Sequence, residues 1–322
     1  MLDLRRMRFL YEFQQRGTLA AVARAYSYSP SFISQQIATL EREAGTALLR
    51  RTGRRAQLTP QGELLATRAG EILDRMERAS AELAAYADVV TGTCRIAVFQ
   101  SVSHTVLPRA IAGLSARHPQ LRVEIVEREP EQGLFETAAR EFDLVIAEQY
   151  PGVTRPRRSG LDHVTLGEDA PFLVTARSGP LHVTTLAAGE SLPWIAEPRG
   201  TASRIWLTQL CRAAGFEPDV RYETNDLVTH LRMIEAGLAV GILPQLILAS
   251  MRADVALHRL PLTAGRELFS AARETTVDLP MLTVVRAALA EAFDAAMAMG
   301  QPGVEPDADP CQCGQAAASR ST

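Results

Sequence analysis

The stretch Ser29-Pro30-Ser31-Phe32-Ile33-Ser34-Gln35-Gln36-Ile37-Ala38-Thr39-Leu40 decides how the start of this chain folds. Ile33, Ile37 and Leu40 stand at i, i+4 and i+7, the spacing that lines one helical face and buries it. The opposite face carries Ser31, Phe32, Gln35 and Thr39, with Ser34 and Gln36 on its flanks and no acidic side chain. Ser29 suits an N-cap, and Pro30 at the first helical position forfeits no hydrogen bond. Upstream, Thr18 can cap a short helix carrying Leu19, Val22 and Ala23, with Tyr26 to Tyr28 as the turn. An earlier helix with Leu4, Met7, Leu10 and Tyr11 on one face completes a three-helix core. Such a core leaves its third helix free to enter a DNA major groove.

Immediately downstream, Leu49 to Leu58 reads as a hairpin with Thr52-Gly53 at its turn and Arg50, Arg51, Arg54 and Arg55 around it. These guanidinium groups would project from a compact wing able to track phosphates. Charge is divided unevenly: residues 1–60 hold ten arginines against Asp3, Glu12, Glu41 and Glu43, a balance of +6, whereas the 322-residue chain carries −3. The remainder is therefore about −9, and a basic head on an acidic body favours nucleic acid at one end only. The chain has no lysine, so every such contact falls to arginine, which grips phosphate with two parallel hydrogen bonds. A small three-helix domain of any kind shares the helical spacing. The wing and the charge split favour the DNA reading.

Thr59 and Pro60 then begin a long helix in which Leu65, Ala69, Ile72, Met76, Ala79, Leu83, Tyr86 and Val90 alternate by fours and threes. That is a heptad seam, too long to be covered by the head alone, and it predicts a homodimer. After Gly92 the pattern alternates strand and helix: Arg95–Phe99, Val106–Arg117, Leu121–Val126, Glu131–Arg140 and Asp143–Ala147 form one parallel βαβαβ unit. A second follows through Phe172–Thr175, Trp194–Ala196, a helix over 202–214, Val220–Glu223, a helix over 227–235 ending at Gly237, and Ala239–Leu243. Leu161–Glu168 is expected to cross between the two lobes and Leu262–Phe269 to return, before a last helix over 280–297. The expected division is a winged helix-turn-helix at 1–60, a linker and dimerisation helix at 61–92 and a two-lobed α/β body at 93–299. Lobe 1 takes about 93–161 and 268–299, lobe 2 about 162–267, and residues 300–322 read as a disordered tail.

Ligands of open α/β sheets bind beyond the carboxyl ends of the strands. That rule selects Ser101 and Ser103 beside Gln100, Glu148 beside Gln149, Thr201 and Ser203, and Thr224 and Asn225 beside Asp226 as effector-binding candidates. Helix amino-termini at Ser103 and Thr201 would suit an anionic ligand. The same residue types also serve simply as helix caps. Cys94, Cys211, Cys311 and Cys313 show neither metal-ligand spacing nor a disulfide framework, so no metal, cofactor or oxidising compartment is expected. The chain shows no export signal and no run of eighteen apolar residues, so a cytoplasmic protein with no membrane partner is expected. No GxSxG, HExxH or phosphate-loop lysine pattern points to catalytic residues, and no enzyme is expected.

The run Ala21-Val22-Ala23, Ser29 through Ile37, Leu40-Glu41, Gly45, Leu48-Leu49, Arg51 and Leu58-Thr59-Pro60-Gln61-Gly62 resembles the amino-terminal signature of LysR-type transcriptional regulators. Ala44 and Leu49 depart from the usual leucine and phenylalanine. The resemblance implies that Ser31, Phe32, Ser34, Gln35 and Gln36 lie at or near base edges of double-stranded promoter DNA, with Arg51, Arg54 and Arg55 at the backbone. It also implies a body resembling periplasmic solute-binding proteins that holds a small-molecule effector. Gly237-Leu238-Ala239-Val240-Gly241-Ile242-Leu243-Pro244 matches the second-lobe pattern. A bacterial homodimer or a tetramer controlled by that effector follows. A redox-responsive regulator of the same architecture acting through Cys211, and a solute-binding receptor, stay open as alternatives.

Overall fold

The computed structural model describes residues 1–299 except 54, 87–88, 154–157 and 263. The tail at 300–322, with Cys311 and Cys313, and Arg54 lie outside the described residues. Helices α1 (Leu4–Arg16), α2 (Leu19–Ala25) and α3 (Pro30–Ala44) begin at Asp3, Thr18 and Ser29, each of whose side chains accepts a first-turn amide. Gly17 and Gly45 end α1 and α3 in the left-handed region, where a side chain would be strained. Ile33, Ile37 and Leu40 are fully buried against Met7, Phe9, Leu10, Phe13, Val22 and Ala23. Phe9 and Phe13 do more of this packing than Leu4 and Tyr11, which are only half-buried.

Strands β1 (Leu49–Thr52) and β2 (Arg55–Leu58) pair antiparallel with Thr52 opposite Arg55, so Thr52 belongs to the ladder and Gly53 opens the turn. Helix α4 (Pro60–Ala85), capped by the Thr59 hydroxyl, packs so closely on the wing and on α1 that Gly62 touches the Leu48 carbonyl and Gly70 touches the Tyr11 ring. The helix is 26 residues long, roughly 39 Å at 1.5 Å per residue, and stops before Val90. The apolar stripe therefore divides. Leu65 and Ala69 join the head core, Val90 packs on the body, and Ile72, Met76, Leu83 and Tyr86 stay 40%, 50%, 75% and 89% exposed.

The body holds β3 (Gly92–Val98), α5 (Gln100–Thr105), α6 (Leu107–Arg117), β4 (Leu121–Glu127), α7 (Pro130–Ala138) and β5 (Leu144–Gln149). Next come β6 (Val164–Asp169), β7 (Pro171–Ala176), β8 (Pro193–Ala196), α8 (Ala202–Ala213), β9 (Asp219–Glu223) and α9 (Leu227–Glu235). The chain continues through β10 (Gly241–Pro244), α10 (Gln245–Ser250), β11 (Val255–Arg259), β12 (Arg266–Ala272) and α11 (Pro280–Met299). The first lobe is a five-stranded sheet in the order β4-β3-β5-β12-β6, with β3, β4 and β5 parallel and β12 antiparallel to its neighbours. Residues of α6 and α11 cover one face and Leu134 of α7 the other. Both connecting segments are thus strands of this sheet. The crossing falls between Asp169 and Pro171 and the return before Arg266, later and earlier than the expected 162 and 267.

In the second lobe β7 lies between β10 and β11, antiparallel to both, while β8 and β9 are parallel. Backbone bonds from Ile195 to Val240 and from Val240 to Pro193 join the two sets. The expected parallel unit is present, and β7 with the unforeseen β11 extends it antiparallel. Among the described residues no helix is long and apolar enough to cross a membrane.

Candidate functional site

Two surfaces stand out, the outer face of α3 with the wing, and the cleft between the lobes. On α3, Ser31, Ser34 and Gln35 are exposed, while Phe32, Gln36 and Thr39 are half-buried. Phe32 stacks on Tyr28 at 4.5 Å between ring centres and meets Phe9 edge-on at 6.3 Å, so it braces the helix as much as it faces outward. Gln36 Oε1 accepts from Arg6 Nε at 3.3 Å, and Thr39 accepts from Arg42 at 2.7 Å. The two acids near the end of α3 are both engaged, Glu41 by the amides of Leu48 and Leu49 at 2.8 and 3.0 Å and Glu43 by Arg6. The α3 face therefore keeps little negative charge of its own. The pleat sorts the wing arginines: Leu49, Arg51, Ala56 and Leu58 share the face whose apolar members pack on the head, while Arg50 and Arg55 share the other. Arg5, which the sequence pattern did not single out, bonds the Tyr28 hydroxyl at 2.5 Å and adds charge beside the start of α3.

The cleft is floored by a buried ionic cluster. Arg266, at the start of β12, donates from Nε and Nη2 to Asp169 Oδ2 at 3.0 and 2.6 Å, from Nη2 to Ser101 at 2.7 Å, and from Nη1 to Glu148. All four residues are buried. Burial works against the guanidinium's charge, but Asp169 and then Glu148 more than offset it, so the group is held charged. Asp169 Oδ1 also accepts the Leu246 amide at 3.1 Å, which fixes the hinge between the lobes. Gln100 closes the cleft from the opposite side. Its Oε1 accepts the Leu227 amide at 2.6 Å and its Nε2 donates to Asp226 Oδ1 at 3.0 Å. Beyond this floor lies a cavity of about 250 Å³ lined by Phe99, Ser101, Glu148, Glu197, Asn225 and Leu227 among others.

The cleft candidates separate on this geometry. Ser101, Glu148 and Asn225 line the cavity, the first two also holding Arg266. Ser103 is half-buried on α5 and is not among the cavity's lining residues. Thr201 caps α8 through the Arg204 amide, and Thr224 accepts the Asp226 amide as part of a turn. Ser203 donates to Glu197, which sets a carboxylate beside the start of α8. Burial and then the neighbouring Glu148 push the Glu197 carboxyl up to about 7. The expectation of an anionic ligand thus meets caps from Thr201, Gln100 and Asp226 and a carboxylate beside the start of α8. Reading strand ends alone missed Arg266 and Asp169, because Arg266 lies on, and Asp169 directly after, a segment taken for a connection, and both stand among other polar residues (Glu168 and Glu267) that gave no signal. Among the described residues no group of three or more His, Cys, Asp or Glu is placed to hold a metal ion.

Body and head are joined within the chain by a second ionic cluster. Glu77 of α4 accepts from Arg140 Nε at 3.0 Å, from Arg273 Nε at 3.2 Å and from Thr275 at 2.6 Å. Arg273 follows β12, the strand that Arg266 begins, so one strand runs from the cleft floor to the linker helix.

A helix-turn-helix head with a basic wing, a long helix and a hinged two-lobed body with a small cavity together define a DNA-binding protein governed by a ligand. Comparison with known proteins names the family. Residues 4–63 match the model for bacterial regulatory helix-turn-helix proteins of the lysR family, and residues 87–294 match the LysR substrate binding domain. The chain belongs to the LysR family of transcriptional regulators. It is similar to a probable hydrogen peroxide-inducible genes activator of Mycobacterium leprae, 29% identical over 72% of this chain and 74% of that protein. It is also similar to a probable HTH-type transcriptional regulator, LrrA, of Synechococcus elongatus, 28% identical over 87% and 93%. A full-length OxyR from Pseudomonas aeruginosa, solved as a cysteine-to-aspartate variant, shares the fold at a TM-score of 0.63 and 17% identity over 90% and 95% of the two chains.

Proposed function

We propose that this regulator acts in the cytoplasm as a homodimer whose two heads read spaced half-sites in promoter DNA, with the effector cavity controlling their separation. Ser31, Ser34 and Gln35 read base edges, with Phe32, Gln36 and Thr39 setting the helix's register. Arg50, Arg51, Arg54 and Arg55 follow the backbone. The proposed division is head 1–60, linker helix 61–92, first lobe 93–169 with 266–299, and second lobe 170–265. The observation that carries the reading is the exposed, acid-free face of α3 beside the arginines of the wing. The uncovered stripe Ile72, Met76, Leu83 and Tyr86 supports pairing of two α4 helices. Ligand binding shifts the head arrangement only by its difference in affinity between open and closed lobes.

The test is protection of the DNA beside its own gene, followed by affinities of two variants. Gln35→Ala is expected to weaken specific binding by about 1–3 kcal/mol per half-site with the salt slope unchanged. Arg55→Ala is expected to weaken binding to all sequences and flatten that slope. Equal losses on specific and random DNA from both variants would refute the assignment of reading to α3. The redox reading through Cys211 is disfavoured, since burial pushes that thiol up to about 12 and reactivity needs the thiolate.

A further inference from the structure

The charge in the cleft points to the class of ligand. We propose that the effector is a small organic cation, a guanidinium, amidinium or ammonium compound, seated in the cavity against the carboxylate of Glu197. This rests on the reading of the cavity as the effector site. Three carboxylates, Asp169, Glu148 and Glu197, share one buried guanidinium, Arg266, which is spent on the first two. Glu197 accepts a hydrogen bond from Ser203 at Oε2 and, half-buried, lines the cavity with its side chain facing, among the described residues, no guanidinium of its own. Arg128 also lines the cavity, but its guanidinium is engaged, with Nε on Glu136 at 2.8 Å, Nη1 on the Glu127 carbonyl at 2.9 Å and the group over the Phe142 ring at 5.7 Å. Glu127 adds an exposed carboxylate to the same rim.

An anion has no seat here. The Leu227 and Val228 amides of α9 are taken by Gln100 and Asp226, and at the start of α8 the Arg204 amide is taken by Thr201 while Glu197 sets a carboxylate on Ser203, where it would repel an anion. A part-buried carboxylate whose neighbouring guanidiniums are engaged elsewhere tends to take up a proton, whereas a bound cation restores its charge and a hydrogen bond. Phe99 and Leu227 supply apolar walls for the rest of the ligand. At about 250 Å³ the cavity lies below the usual range of roughly 300–1,000 Å³, so the ligand is small.

The full-length protein is titrated at constant ionic strength with benzamidinium, agmatine, benzamide, benzoate and magnesium chloride. Thermal unfolding is followed by fluorescence of Trp194 and Trp206, both in the second lobe. Benzamidinium or agmatine is expected to raise the midpoint at millimolar concentration, and benzamide and benzoate are not. The groups facing Glu197 are Glu148, Glu129, Arg266 and the backbone-bound Arg204. Because a cation needs the ionised form of a carboxyl that titrates at about 7, affinity should fall about tenfold from pH 8 to pH 6. Glu197→Gln should lose at least about tenfold in cation affinity. Its ligand-free midpoint at pH 8 should not fall below that of the parent, which separates lost binding from lost folding. Tighter binding of benzoate than of benzamidinium, a shift with magnesium alone, or no shift with either organic cation overturns the proposal. Cation binding by a protein that protects no DNA upholds the ligand class and refutes the regulatory reading.

Discussion

Replacing Arg266 with methionine tests the cleft floor most directly. Methionine keeps most of the aliphatic stem but removes the charge that Asp169 and Glu148 share, together with the bond to Ser101. Breaking a buried ion pair by removing one partner costs about 3–5 kcal/mol, because the other charge is left unpaired. Here two carboxylates are stranded but can take up protons, which sets the loss at roughly 4 kcal/mol at pH 8. Burial already holds the Asp169 carboxyl above its ordinary value despite Arg266, so losing the arginine raises it further. A carboxyl raised above its unfolded value contributes stability that is complete at low pH and lost as the pH climbs through the raised value. The variant's deficit should therefore be larger at pH 8 than at pH 6, by about 1.4 kcal/mol for each unit over which one carboxyl is still titrating. Urea unfolding at both pH values, followed by Trp194 and Trp206 fluorescence, measures it. Adding Glu148→Gln should recover about 1–2 kcal/mol by removing one stranded charge. A loss below about 1 kcal/mol at pH 8, or a loss independent of pH, would refute the view that Arg266 neutralises this floor.

Three further outcomes are expected. Gly62→Ala would place a methyl 2.1 Å from the Leu48 carbonyl oxygen, so wing and α4 must part, and differential scanning calorimetry should show a loss of about 1–3 kcal/mol. Met76→Glu with Leu83→Glu, both on the uncovered stripe of α4, should shift sedimentation equilibrium toward monomer with unchanged circular dichroism; an unchanged mass would place the dimer contact elsewhere. With Cys311 and Cys313 replaced by serine, native protein should react with a thiol reagent at pH 8 only as fast as it unfolds. Burial pushes the Cys94 and Cys211 thiols each up to about 12, and prompt labelling of either would reopen the redox reading.

The head was legible residue by residue. Thr18, Ser29 and Thr59 cap the helices they were assigned, and Ile33, Ile37 and Leu40 are buried as their spacing required, because capping and amphipathic periodicity act within a few residues along the chain. The two-lobed α/β body and its LysR membership also followed from local pattern. What the sequence could not settle depends on partners far apart in the chain. Ser101, Glu148 and Asp169 meet Arg266 across 165, 118 and 97 positions, and no period or propensity encodes that meeting. The same holds for the division of the α4 stripe between head, body and solvent, which packing on Tyr11 and the salt bridges of Glu77 decide. Residue types at strand ends located the cleft, but its sign of charge belongs to the tertiary structure, because a carboxylate counts as negative only once it is known which arginine neutralises it.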